Sequence, residues 1–172
     1  MHVLYNVFRL SLLFCGMMFP VYAWGNELFN SLQKYIDKGA CPFECCTYRQ
    51  WKVTRQTVLY DNPDSSKPIG LLKAGESVRG ITGEVWSIPV EMTALHDIPQ
   101  SNVKSGDVFY VLNYAGEGNW KVWHKGRFSS VHQEDVKLRK PKCEWWVKIV
   151  DSNGNMGWAL SDGNFSGQDA CG

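Results

Sequence analysis

From residue 47 onward the chain alternates apolar and polar residues in short runs, and clusters of Gly, Asn, Asp and Pro cut those runs at close intervals. Half-buried strands carry a period of two, whereas an amphipathic helix repeats its apolar residues at three and four. The runs fall at 51–60, 67–72, 76–82, 84–89, 108–114, 120–124, 145–151 and 156–160. The breaks include Asp61-Asn62-Pro63-Asp64, Gly83 and Asp151-Ser152-Asn153-Gly154-Asn155. The last is a hairpin signal, because Asn-Gly tolerates the positive φ angles of a tight turn. Strands never alternate with helices here, which excludes a Rossmann-type nucleotide fold. The expected architecture is mainly β, a small barrel or sandwich.

The N-terminal stretch has a different character. Residues 1–23 carry one basic side chain, Arg9, then an apolar run from Leu10 to Phe19 that ends at Pro20. With Val21-Tyr22-Ala23 behind it, this is the pattern of a secretory signal peptide cleaved after Ala23. The run is nearer ten residues than the roughly 18–20 a membrane anchor needs. Phe14 precedes Cys15 where a lipoprotein signal has a small residue, which argues against lipidation. Cleavage leaves 149 of the 172 residues and removes Arg9 from the 18 basic side chains, matching them to the 17 acidic ones. A formally neutral protein lacks the basic footprint of a nucleic-acid binder or a polybasic membrane-surface protein. The expected location is periplasmic or secreted, with no integral membrane segment after cleavage.

Over residues 26–39, Leu28, Phe29, Leu32, Tyr35 and Ile36 share one helical face, Asn26 can cap the start and Gly39 can close the end. The spacing predicts a short amphipathic helix packed on the domain, so that 24–46 comprises this helix and a cysteine cluster. The mature cysteines are Cys41, Cys45, Cys46, Cys143 and Cys171. Export permits disulfides, and an odd count leaves at least one thiol over. A bridge from the cluster to Cys171 would join the two ends of the domain, and a bridge from the cluster to Cys143 is the second expected pair. Spacing does not choose between connectivities. A metal site is not expected: C-x-x-x-C-C is not the zinc knuckle, and His96, His124 and His132 have no ligand partner at close spacing.

The stretch TVLYDNPDSSKPIGLLKAGESVRGI at 57–81 resembles the first half of a bacterial SH3-like (SH3b) domain, with Pro68 to Glu76 supplying its aliphatic-Gly strand and Lys-x-Gly turn. The stretch WWVKIVDSNGNMGWAL at 145–160 resembles its second half, with Gly154, Gly157 and Trp158 at the hairpin and its closing Gly-Trp. The resemblance covers about 40 residues. It implies an SH3-like barrel over 47–172, elaborated by an inserted β-hairpin within an insertion at 83–144. Two interleaved SH3-like units are the alternative. The charged stretch 129–143 is expected as a solvated loop.

No P-loop, G-x-S-x-G or H-E-x-x-H is present, and the chain has no room for a catalytic domain beside the barrel. Cys45 or Cys46 with His124 is the one conceivable nucleophile–base pair, and clustered cysteines in an exported protein more often bond each other. No catalytic residue and no cofactor are expected. Binding remains, and aromatic side chains dominate recognition surfaces. Alternation places Trp146 on the face opposite Trp145, Val147 and Ile149, and Trp123 beside two lysines. With Tyr60, Tyr110 and Tyr114 these form the candidate contact set. The resemblance implies an exported, non-catalytic module recognising peptidoglycan peptide or an envelope protein. The alternative is a secreted inhibitor or immunity-type protein that plugs a partner enzyme with the insertion.

Overall fold

A computed structural model describes residues 34–171. The expected signal peptide, 1–23, and residues 24–33, which hold most of the expected N-terminal helix, lie outside the described residues. Among the described residues the chain is mainly β, with one 3-10 turn, Pro99–Ser101, and no helix long and apolar enough to cross a membrane.

The long strand β5 (Ser77–Ser87) is the spine. One edge pairs from Arg79 to Ser87 with β10 (Cys143–Val150). The other edge is shared, with β2 (Gln50–Val53) on its first half and β1 (Tyr35–Lys38) on its second. Beyond β10 follow β11 (Met156–Ser161), β3 (Thr57–Tyr60) and β4 (Pro68–Leu72), while β12 (Phe165–Ser166) lies outside β2. This sheet curls into a half-barrel around Trp51, Val53, Leu59, Leu72, Val78, Val147, Ile149, Ala159 and Phe165. Each fully buried Val or Ile of that set contributes about 1.5–3 kcal/mol. The Asp151–Asn155 turn behaves as its sequence predicts: Asp151 accepts from the backbone N–H groups of Asn153 and Asn155, and Gly154 takes φ 85°.

Several expectations need correction. Residues 35–38, the end of the expected helix, form strand β1 against β5. The run at 51–60 is two strands in different parts of the sheet. A corner at Thr54-Arg55-Gln56 separates them, held where Thr54 Oγ1 donates to the Gly163 carbonyl and buried Asn164 Nδ2 donates to Thr57 Oγ1. Gly83 is no break, because it sits inside β5. A Cβ there would come within 2.5 Å of Trp145 Nε1 and 2.9 Å of the Trp146 carbonyl. This glycine serves close packing, not a turn.

The insertion is more than a hairpin. β5 and β10 run into its expected limits, and between them β6 (Val90–Thr93), β7 (Val108–Gly116), β8 (Asn119–His124) and β9 (Arg127–His132) form a four-stranded antiparallel meander. One face buries a separate core that includes Ile98, Val103, Phe109, Val111, Trp120, Val122 and Val131. Residues 129–132, expected as loop, belong to β9. The two sheets are pinned at Asp37, whose carboxylate accepts from Lys121 Nζ at 2.8 Å and from Asn113 Nδ2 at 3.0 Å.

Asp107 anchors one end of the meander. It accepts from Lys125 Nζ at 2.7 Å and from the Lys104 backbone N–H at 2.9 Å, and His124 Nε2 lies 3.0 Å away. The Lys125 ammonium and the Lys104 N–H hold its carboxyl well below the usual range, at about 2. A depressed carboxyl stabilises the fold above its unfolded value, near 4, and that contribution disappears as pH falls from about 4 through 2. Asp107→Asn is expected to flatten the stability profile across that window, measured by urea unfolding at successive pH values. An unchanged slope would remove Asp107 from the acid response.

Candidate binding site

The period-two alternation of β10 sends Trp145, Val147 and Ile149 toward the half-barrel core and Glu144, Trp146 and Lys148 to the outer face. Register carries that face across the sheet. Trp146 stands opposite Leu160 on β11 and Glu84 on β5, and Trp158 stands opposite Tyr60 on β3. The result is an aromatic row with half-buried Trp146 at its centre. Its ring lies 5.9 Å from that of Tyr60, edge-on, and 5.9 Å from that of Trp86. Such pairs favour a fixed arrangement by about 0.5–1.5 kcal/mol beyond their burial.

Charged groups frame the row. Lys34 Nζ sits 3.6 Å from the centroid of Trp86 and pairs with Asp64 at 3.0 Å. The Trp86 indole donates to Glu84 at 2.9 Å, and Lys148 Nζ lies 5.9 Å from the Trp158 centroid. Beside Trp86 opens a cleft of about 330 Å³ lined by Lys34, Trp86, Ser87, Ile88, Lys142 and Glu144. That volume is at the lower end of small-ligand sites. Mixed charge around the half-buried rings of Tyr60 and Trp146 and the buried, cleft-lining Trp86 suits a zwitterionic or peptidic ligand better than a polyanion.

The five aromatic candidates therefore separate into three places. Tyr60 and Trp146 come together in the row. Tyr110 and Trp123 are cross-strand partners in the meander. Tyr110 is only 8% exposed and its hydroxyl donates to Glu91 at 3.0 Å, so it packs the fold. Trp123 meets Phe128 edge-on at 4.6 Å. Tyr114 stacks edge-on with Trp120, and its oxygen accepts the Gly118 N–H at 2.9 Å, bracing the β7–β8 turn. Trp86, Trp158 and Lys34 are absent from the contact set expected from the sequence, where Trp158 figures only in the closing Gly-Trp of the hairpin. Strict alternation along β5 from core-facing Val78 would put Trp86 on the inner face; the β-bulge between the Gly80 and Thr82 pairings shifts the parity and turns Trp86 outward, a shift no local pattern announces.

The cysteines resolve as two disulfides, Cys41–Cys46 and Cys45–Cys171. The expected link from the cluster to Cys171 forms, while the alternative link to Cys143 does not, because both bridges consume the cluster. Among the described residues Cys143 is the free thiol, and burial pushes its pKa up. With Cys45 and Cys46 both bonded, neither can serve as a nucleophile beside His124. The one grouping of potential metal ligands among the described residues is Cys45, Asp169 and Cys171, and its two sulfurs belong to a disulfide.

No protein-family model, no curated protein and no solved structure matches the chain.

Proposed function

We propose that this protein is an exported, non-catalytic binding module of the cell envelope that holds a peptidoglycan stem peptide or an envelope protein against the Tyr60–Trp146–Trp86 row. The observation that carries this reading is the row itself: Trp146 in ring contact with Tyr60 on one side and Trp86 on the other, on the outer face of the sheet, opposite the core, with a cleft beside Trp86. The SH3-like resemblance of 57–81 and 145–160 supports it, since those two segments supply Tyr60 and Trp146. Two disulfides agree with a periplasmic or secreted location.

Pelleting with purified sacculi tests the proposal. The native chain is expected to sediment with them. Trp146→Ala is expected to weaken that association about thirtyfold, the scale of an aromatic hot spot. Native protein that stays in the supernatant would remove the peptidoglycan ligand. Equal pelleting by the variant would remove the row.

One observation favours the inhibitor reading: the meander has its own core and presents Phe128, 55% exposed, next to Trp123 on its edge strand. A co-purifying enzyme lost in Phe128→Ala and retained in Trp146→Ala would assign function to the meander.

A further inference from the structure

Strand β4 closes one end of the large sheet and pairs on one side only, with β3. Among the described residues no backbone hydrogen bond engages its outer edge. Sheet edges are templates for another strand, and this one is blunted at its start by Pro68 and the β-bulge at Ile69, which leaves Gly70–Leu72 as its regular stretch. Here Ile69 and Leu71 are 51% and 49% exposed on a strand of sequence PIGLL. Met156, 50% exposed, lies beside them across the same cleft of about 420 Å³, which Gly70, Asp151 and Asn155 also line. Ile69 reaches over Gly157, where a Cβ would sit 3.2 Å from its Cδ1, so the apolar cleft depends on that glycine.

The charges at the two ends of the strand select the occupant. Lys67 and Lys73 flank β4, both exposed, and neither forms an ion pair with any described residue. Antiparallel pairing of two β4 strands centred on Gly70 would set Lys67 against Lys73 of the other copy at both ends. Parallel in-register pairing would oppose each lysine to itself. Like charges directly opposite destabilise a pair. The edge thus disfavours a second copy of this chain and complements a strand with the opposite end charges.

We propose that the outer edge of β4 is a strand-addition site for an extended peptide segment with apolar side chains at alternate positions and a carboxylate near each end. Main-chain hydrogen bonds to β4 would provide the common part of the affinity. The exposed Ile69 and Leu71 side chains would meet side chains at alternate positions of the peptide, and Lys67 and Lys73 would set the register.

The probes are two blocked heptapeptides, Glu-Thr-Val-Thr-Val-Thr-Glu, whose two Val stand opposite Leu71 and Ile69 when the ends stand opposite the lysines, and the same sequence with Lys at both ends, titrated into the isotope-labelled protein. The acidic peptide is expected to shift and protect the backbone amides of β4, and to bind about fivefold to tenfold more tightly than the basic one, since exposed ion pairs are weak individually. The surface variant Lys67→Glu/Lys73→Glu is expected to reverse that preference while leaving the melting temperature unchanged. Absence of β4 amide shifts with either peptide would overturn the proposal. So would equal affinities that the charge reversal does not change. Sedimentation velocity showing a native dimer that Leu71→Lys dissociates would assign the edge to a second copy instead.

Discussion

Cys45→Ala/Cys171→Ala is expected to lose about 4–5 kcal/mol of folding stability, whereas Cys41→Ala/Cys46→Ala loses about 2 kcal/mol. The difference comes from the chain each bridge closes. Cys45 and Cys171 are 126 residues apart and Cys41 and Cys46 only five. Cross-linking a long loop removes more freedom from the unfolded chain than cross-linking a short one. The long bridge also locks a seam. The C-terminal segment runs beside the first strands, where the Ala170 N–H donates to the Cys45 carbonyl and the Thr47 N–H to the Gln168 carbonyl, both at 2.8 Å. Arg49 Nε reaches the Gly167 carbonyl at 2.8 Å. Without the bridge these hydrogen bonds alone hold the seam. A domain typically holds about 5–15 kcal/mol in total, so the first variant comes close to unfolding. Urea unfolding of both double variants without reductant provides the check. Equal midpoints for the two would show that loop length does not govern their stabilisation.

The same seam shows which parts of the fold are legible in the sequence. Hairpin β10–β11 is, because its alternation is uninterrupted and Asn153-Gly154 fixes the turn. Trp146 and its outward face follow from that strand alone. Tyr60 is legible as a strand end, yet its contact with Trp146 depends on β3 pairing with β11 across nearly a hundred residues, which no local pattern encodes. Gly83 illustrates a specific ambiguity: a glycine between two apolar runs fits a turn and a tightly packed strand centre equally well. The neighbours that decide between them, Tyr48 and Trp145, are distant in sequence. The meander was underestimated because β6 is only four residues long and β9 carries Arg127, Ser129 and Ser130, which read as loop. Tyr110 was assigned to contact because half of any alternating strand faces outward. Here a second sheet has two occupied faces, with Tyr110 and Leu112 behind the main core of the meander.

Trp51→Ala should lose about 3–5 kcal/mol, the range for large aromatic truncations in a core. Trp51 is buried among Tyr48, Trp145 and Phe165, with centroids 5.7, 6.0 and 5.8 Å away, and its indole donates to the Thr47 carbonyl at 3.0 Å. Few neighbours can collapse into the space, because those rings are held by their own strands. The companion variant Gly80→Ala tests the same packing from the other side. Gly80 lies on β5, and a Cβ there would come within 2.7 Å of Trp51 Cζ2 and 2.8 Å of Cη2. The indole is rigid and boxed in, so relief requires movement of the backbone, and the cost is about 2–3 kcal/mol. When Trp51 is already alanine, the added methyl enters the vacated volume and that cost disappears. The double variant is therefore expected to be about as stable as Trp51→Ala alone, a coupling of about 2–3 kcal/mol between the two sites. Thermal and urea unfolding of the four proteins completes the cycle. Additive losses would mean that Gly80 is glycine for a reason other than the ring that faces it.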